Sequence, residues 1–181
     1  VLDKLESKIQ ELDIIYQRIF SIFIGTGMRA KEIIFLEKDC LDYSYIDNPD
    51  VNKRGIILRY TPYKVLISQT KRNKEKHEIY IQPELAEIIE QQIKETEWIR
   101  EKYIDVPYIF IGDVCEKVQM KGRNFTANIN KLIRKYNICD VDNTLWAFDS
   151  RQMRPTVVCN MIENGACENE ILSITNHTNV N

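Results

Sequence analysis

The chain has 181 residues, of which 44% are hydrophobic and 29% charged, a composition that is ordinary for a soluble globular protein and argues against disorder. Its five cysteines form no CxxC pair and leave one over, so we expect neither a disulfide framework nor a cysteine zinc site, and a reducing cytoplasm fits best. The net charge of −2 gives no overall attraction to a polyanion, so such a partner would have to meet a local basic face.

The first half of the chain predicts helices followed by a small sheet. Apolar residues recur at helical spacing from Leu5 through Ile24, and a turn containing Gly25 and Gly27 then ends the helix. The apolar run IFSIFIG within it is too short to span a bilayer, so we expect neither a transmembrane helix nor a signal peptide. RAKEIIFLE restarts as a short helix. Three short β-rich segments follow and predict an antiparallel sheet: GIILRY, KVLISQT and KHEIYIQ.

The second half predicts mainly helices. Pro83 opens a long amphipathic helix that runs to about Lys102, YIFIG predicts a short buried strand, and NFTANINKLIRKYN returns to helix. Another helix runs from about Met153 to Asn164 and stops at Gly165, and ENEILSIT forms the last one. The predicted class is therefore α+β, mostly helical, with a small antiparallel three-stranded sheet, and no linker or repeat divides the chain.

Basic residues are concentrated in two stretches although the net charge is slightly negative. Lys53 to His77 carries a local charge of +7, and Lys117 to Tyr136 contains six basic residues and no acidic one. Such segregation allows a basic face that follows phosphates while the other faces repel them. Charge alone leaves a second interpretation open, in which both stretches are merely solvated loops and helix faces.

Two arginines lie where local structure does not favour them. Arg151 and Arg154 share one helical face and repel each other unless an anion lies between them. Pro155 suits the first turn of a helix, and cations at a helix start gain nothing from the helix dipole. Local inconsistencies of this kind are expected at functional sites. Three further polar residues stand out by position, namely Arg29 after the glycine turn, Lys71 in the basic tip between two strands, and His177 near the end.

Three segments in the correct order resemble a known family, the tyrosine recombinases or phage-type integrases, in their C-terminal catalytic domain. FIGTGMRAKEIIFLEKDCLD is similar to a helix followed by TG-x-R-x-x-E, and QTKRNKEKHEIYIQPELAEII to a hairpin with an active-site lysine. RQMRPTVVCNMIENGACENEILSITNH resembles a second box in which H-x-x-R-H-T and a final GH are usual. The resemblance implies a DNA breaking and rejoining catalytic domain over residues 1–181.

The resemblance also implies a catalytic set, which consists of Arg29, Lys71, Arg151, Arg154 and His177. Two fixed guanidinium forks can stabilise the charge of a phosphoryl transition state, and Glu32 can orient the first of them. Lys71 is suited to protonate the leaving sugar oxygen. Arg151 stands where the family usually has histidine, and it can donate to a phosphate but stays protonated. Neither a metal nor another cofactor is implied.

Five other basic residues are interpreted as phosphate contacts: Arg72, Lys74, Lys76, Lys121 and Arg123. Taken singly, the motif residues have ordinary alternatives. Arg29 could cap the preceding helix, and His177 could be a surface histidine. Cys159 and Cys167 are interpreted as core or incidental thiols, because no histidine base is placed for them.

The implied function is site-specific DNA recombination and integration through a 3′-phosphotyrosine intermediate, carried out on double-stranded DNA by a homo-oligomer, expected to be a tetramer. In the family the nucleophilic tyrosine follows the final histidine, whereas all nine tyrosines of this chain precede the second box. We therefore expect a fragment that lacks the nucleophile segment and the N-terminal core-binding domain. Two alternatives remain, a non-catalytic DNA-binding paralogue and a type IB topoisomerase-like enzyme that relaxes DNA.

Overall fold

Seven α-helices and five strands form the part of the chain that the structure describes. The computed structural model describes residues 1–49, 54–62, 76–102, 106–113, 118–119, 122–163 and 165. The helices are α1 (Leu2–Glu6), α2 (Ile14–Thr26), α3 (Ala30–Ile34), α4 (Pro83–Glu95), α5 (Glu97–Lys102), α6 (Gly122–Lys135) and α7 (Ser150–Glu163). The strands are β1 (Leu41–Asp42), β2 (Ile56–Tyr60), β3 (His77–Ile81), β4 (Ile111–Asp113) and β5 (Val118–Gln119). None of the helices in these ranges has the length and apolar character needed to cross a membrane.

The long first helix that the sequence predicts is divided in two. A 3-10 turn over Ile9–Glu11 follows α1, and Asp13 then takes up a non-helical backbone, with φ −55° and ψ 142°, before α2 begins. Leu5 in α1 and Ile9 in the 3-10 turn are both buried and belong to the same core as α2. The apolar spacing therefore survives the break, which is why periodicity alone predicted a continuous helix.

The two glycines of the predicted turn have different roles. Gly25 lies inside α2, where a Cβ atom would meet Cδ2 of Leu85 at 3.0 Å, so its assignment to the turn was wrong. Gly27 ends α2 alone, in a left-handed conformation with φ 61°. Met28, the next residue, is fully buried. The chain is thus fixed by backbone conformation and by burial immediately before Arg29.

Gly27→Ala should lower the free energy of unfolding by about 1–2 kcal/mol, because a Cβ atom in the left-handed conformation crowds the following carbonyl oxygen. Gly27→Asn should lose less stability, since asparagine adopts this conformation more readily. Urea unfolding of the three proteins measures both effects. Equal stability of Gly27→Ala and the unchanged protein would contradict the requirement for a left-handed residue at the end of α2.

A three-stranded antiparallel sheet confirms the predicted fold class. Its order is β1-β2-β3, with Leu41 opposite Leu58 and Tyr60 opposite His77. β2 and β3 correspond to GIILRY and KHEIYIQ, whereas KVLISQT falls at residues 64–70 and lies outside the described residues. β1 was not predicted, because a strand of two residues is too short to show an alternating pattern.

The segment between residues 83 and 135 follows the prediction with two changes. The helix that Pro83 opens ends at Glu95, because the backbone of Thr96 leaves the helical conformation with φ −103° and ψ 6°, and α5 then follows as a separate helix. The predicted strand YIFIG begins later than expected, at Ile111, and pairs with β5. α6 agrees with the predicted helix.

Helix α7 begins earlier than the sequence predicts. Oδ1 of Asp149 accepts the backbone N–H of Arg151 at 2.9 Å and so caps the helix, which starts at Ser150. Pro155 consequently lies inside α7 rather than in its first turn, so that part of the prediction was wrong. Gly165 follows the helix with φ 86°, as expected for its C-terminal glycine. ENEILSIT lies outside the described residues.

An aromatic cluster joins α2, α6 and the segment that leads into α7. The rings of Phe23 and Phe125 are 6.2 Å apart, and the ring of Phe148 lies 6.1 Å from the first and 5.7 Å from the second. Phe148 is the residue before the Asp149 cap. The start of α7 is therefore attached to the central core, and this attachment positions the two arginines of α7, Arg151 and Arg154.

Candidate functional site

Glu32 holds Arg29 by its backbone and by its side chain. Arg29 is the residue before α3, and Oε2 of Glu32 accepts its backbone N–H at 2.8 Å. Oε1 of Glu32 accepts a hydrogen bond from Nη1 of Arg29 at 3.0 Å. The Glu32 side chain is 1% exposed, whereas that of Arg29 is 43% exposed. The buried carboxylate thus fixes the guanidinium and leaves nearly half of the arginine side chain accessible.

Arg154 reaches the same carboxylate from α7. Its Nη1 lies 4.0 Å from Oε2 of Glu32, and its side chain is only 14% exposed. Burial, and then the positive charge of Arg29, lowers the pKa of Arg154, while Glu32 opposes this effect. Two guanidinium groups therefore share one buried carboxylate, and the cluster of Arg29, Glu32 and Arg154, which we call the arginine clamp, has one positive charge in excess.

Tyr60 lies beside the arginine clamp, and the sequence analysis did not select it. It is buried at the end of β2, and burial, followed by the negative charge of Glu32, raises the pKa of its hydroxyl to about 12. The hydroxyl therefore stays protonated at neutral pH. Its ring lies 5.9 Å from that of His77 on the neighbouring strand. The sequence does not distinguish Tyr60 from other tyrosines, because an aromatic residue that only packs within a strand shows the same local pattern as one beside a functional site.

Arg151 and Arg154 have different surroundings although they are three residues apart. The Arg151 side chain is 88% exposed, and its Nη2 lies 3.2 Å from Oδ2 of Asp149. Arg151 is thus paired with Asp149, whereas Arg154 lies near Glu32, which also holds Arg29. Sequence analysis missed this capping role of Asp149, which the pattern of an aspartate just before a helix could have indicated.

The predicted phosphate contacts are described only in part. Nζ of Lys76 lies 2.9 Å from Oε2 of Glu37 and 3.4 Å from Oδ1 of Asp39, so two carboxylates already balance its charge. Lys76 is thus paired with carboxylates of the protein itself, and its contact with phosphate stays a prediction. Arg123 is exposed in the first turn of α6. The remaining predicted site residues lie outside the described residues: Lys71, Arg72, Lys74, Lys121 and His177.

The cysteines differ widely in exposure. Cys40 is buried, and burial raises the pKa of its thiol to about 12, whereas Cys159 is exposed on α7 and so is not a core residue. Cys167 lies outside the described residues. In the described ranges, no group of three or more His, Cys, Asp or Glu side chains is arranged to hold a metal ion.

Comparison with known proteins decides the family. The model of the phage integrase family matches residues 1–181. The chain belongs to the phage integrase family. Transposase B from transposon Tn554 of Staphylococcus aureus, strains Mu50 and N315, is 26% identical to this integrase-family chain over 177 residues. The match covers 98% of the chain and 25% of the transposase, so the chain spans about a quarter of the length of these relatives.

Solved structures show the same fold. The Tn1549 transposon integrase, in complex with circular intermediate DNA, matches this integrase-family chain with a TM-score of 0.65 and 19% identity, over 98% of this chain and 55% of the other. XerA recombinase matches with a TM-score of 0.64 and 15% identity, over 98% of this chain and 54% of the other. The chain thus spans about half the length of each.

Proposed function

We propose that residues 1–181 form the catalytic domain of a site-specific tyrosine recombinase that cuts and rejoins double-stranded DNA. The observation that carries this proposal is the arginine clamp, in which Arg29 and Arg154 meet at the buried carboxylate of Glu32. Membership of the phage integrase family supports it. The Tn1549 integrase, whose structure contains circular intermediate DNA, supports DNA as the substrate.

The charge of the arginine clamp suits a phosphodiester. A phosphodiester carries one negative charge, and the clamp has one positive charge in excess. The two guanidinium forks can donate to the two non-bridging oxygens, which gain further charge in the transition state. Because Glu32 already holds Arg29 through two hydrogen bonds, that fork needs little rearrangement when the phosphate arrives.

The proposed reaction exchanges one phosphate ester for another. A tyrosine hydroxyl attacks the phosphorus, a 3′-phosphotyrosine bond forms, and the bond to the 5′ sugar oxygen breaks. We assign to Lys71 the proton that the departing oxygen receives, and to Arg151 and His177 further contacts with the phosphate. Attack by a 5′-hydroxyl reverses these steps and rejoins the strand. The ester bond is conserved throughout, so the reaction needs no nucleotide cofactor.

Covalent trapping on DNA tests the proposed function. The protein as its gene encodes it should become attached to a nicked duplex that carries its recombination site, because the fragment released at the nick cannot be rejoined. Attachment should persist in the presence of a chelator, since arginine and lysine groups supply the charge that a metal ion would provide. DNA binding without any adduct on a verified site would favour a non-catalytic DNA-binding paralogue.

Arg123→Ala and Lys76→Ala should differ in their effect on the salt dependence of DNA binding. Arg123 is exposed, and losing one phosphate contact should reduce the slope of log affinity against log salt by about one unit. Lys76→Ala should change the slope by clearly less, because Glu37 and Asp39 already balance this lysine. Fluorescence anisotropy over a salt series measures both slopes. Equal reductions would mean that Lys76 leaves its carboxylates to bind DNA.

A further inference from the structure

Asn130 of α6 holds the segment that leads into α7 with both ends of its side-chain amide. Its Oδ1 accepts the backbone N–H of Phe148 at 2.8 Å, and its Nδ2 donates to the backbone carbonyl of Phe148 at 2.9 Å. Nδ2 also donates to the carbonyl of Thr126, one turn earlier in α6, at 3.0 Å. A single amide thus satisfies both polar backbone groups of Phe148 and is itself tied to α6.

The segment that Asn130 holds leads directly to Arg154. Phe148 is followed by Asp149, which caps α7, and Arg154 comes about one helical turn after the start of that helix. A displacement of Phe148 would therefore move the cap and, with it, the arginine. The position of Arg154 in the clamp depends on where this segment is attached.

Helix α6 also supports the other half of the arginine clamp. It contacts α3, which carries Glu32 and follows Arg29 directly. One helix therefore touches the element that positions Arg29 and, through Asn130, the segment that positions Arg154. We propose that Asn130 is a positioning residue that sets the placement of Arg154 relative to Arg29. This inference rests on the proposed function, because it assigns Asn130 a part in that same site.

A double-mutant cycle separates positioning from general support of the fold. Asn130→Ala should slow adduct formation on nicked DNA by about tenfold to 100-fold, since small misplacements of catalytic groups have effects of this size. In a protein that already carries Arg154→Lys, Asn130→Ala should slow adduct formation little further. The guanidinium group that Asn130→Ala would misplace is absent from that variant. Losses that simply multiply in the double variant would overturn the inference.

Asn128→Ala is the matched control. Asn128 lies on the same helix, and its Nδ2 donates to the carbonyl of Asn124 at 2.9 Å, as that of Asn130 does to Thr126. This hydrogen bond stays within α6, so Asn128→Ala should leave the rate of adduct formation within about twofold of the unchanged protein. A loss equal to that of Asn130→Ala would assign the effect to α6 as a whole and overturn the inference.

A second measurement does not depend on DNA cleavage. The side-chain Nε–H signal of Arg154 in the nitrogen-15 NMR spectrum of the DNA-free protein, assigned with Arg154→Lys, should shift or broaden in Asn130→Ala and stay in place in Asn128→Ala. An unchanged signal in Asn130→Ala would overturn the inference. If the signal moves but Arg154→Lys does not affect adduct formation, the proposed function fails and the positioning of Arg154 stands.

The folded state of each variant is checked by thermal unfolding before either measurement. Should Asn130→Ala unfold at the assay temperature, Asn130→Asp takes its place, because it keeps the acceptor for the Phe148 N–H and loses the donor to the Phe148 carbonyl. The same shift of the Arg154 signal and the same non-additivity with Arg154→Lys are then expected. Their absence would likewise overturn the inference.

Discussion

Arg154→Ala should lower the rate of covalent adduct formation on nicked DNA by about 1000-fold or more, the size of effect seen when a principal donor to a phosphoryl or acyl transition state is removed. The guanidinium is mostly buried against Glu32, and charge interactions are stronger in such surroundings than in water. DNA affinity should fall by less than about tenfold, because the other basic residues that we propose as phosphate contacts are unchanged. Gel analysis of adducts and anisotropy titrations measure the two quantities.

Arg151→Lys is the control for this prediction. Arg151 is mostly exposed and pairs with Asp149, so a lysine at this position should keep most of the adduct-forming rate. If Arg154→Ala reduced DNA affinity and the adduct rate by the same factor, Arg154 would serve ground-state binding alone. A severe loss in Arg151→Lys would instead mean that the phosphate contact we assign to Arg151 requires a guanidinium and not merely a positive charge.

Glu32→Gln should lower the free energy of unfolding by about 3–5 kcal/mol, the range expected when one partner of a buried ion pair is removed. Glutamine keeps the size of the side chain and an acceptor for the Arg29 N–H, but two neighbouring guanidinium groups lose their shared counter-charge. Sulfate in place of chloride should restore stability more in this variant than in the unchanged protein, because the anion can occupy the clamp. Urea unfolding in both salts measures these differences.

Glu37→Gln provides the comparison for Glu32→Gln. Glu37 also pairs with a cation, Lys76, but one third of each side chain is exposed. Exposed pairs contribute little, so Glu37→Gln should lower the free energy of unfolding by about 1 kcal/mol or less. Equal losses of unfolding free energy in the two variants would show that Glu32 does not balance the positive charges of both Arg29 and Arg154.

Interactions between residues close together in the sequence could be predicted from it, whereas interactions between residues far apart in the sequence could not. Glu32 lies one helical turn from Arg29, so its spacing alone suggested that it could orient the arginine. The contact between Arg154 and Glu32 joins residues more than 100 positions apart, and only the resemblance to a family brought the two arginines into one set. Asn130 and Phe148 are 18 residues apart, and an asparagine within a helix carries no sign of its distant partner.

The element boundaries that were wrong have a common cause. At Asp13 and Thr96 the apolar spacing continues, but the backbone leaves the helical conformation at these residues, and periodicity does not register such a change. The same holds for α7, where Asp149 moves the start of the helix ahead of the position that Pro155 suggested. Periodicity therefore finds these helices but places their ends only approximately.

Helix α3 has only five residues, which is too short to be stable by itself in water. Its conformation therefore depends on the buried Met28 and on the core around it, and the bidentate hold of Glu32 on Arg29 exists only in the assembled domain. A synthetic peptide with the sequence GTGMRAKE would have the same side chains, but the guanidinium group of its arginine would not be held in one position. The motif consequently does not form a phosphate-binding site by itself. Grafting it onto another scaffold would require the supporting core as well.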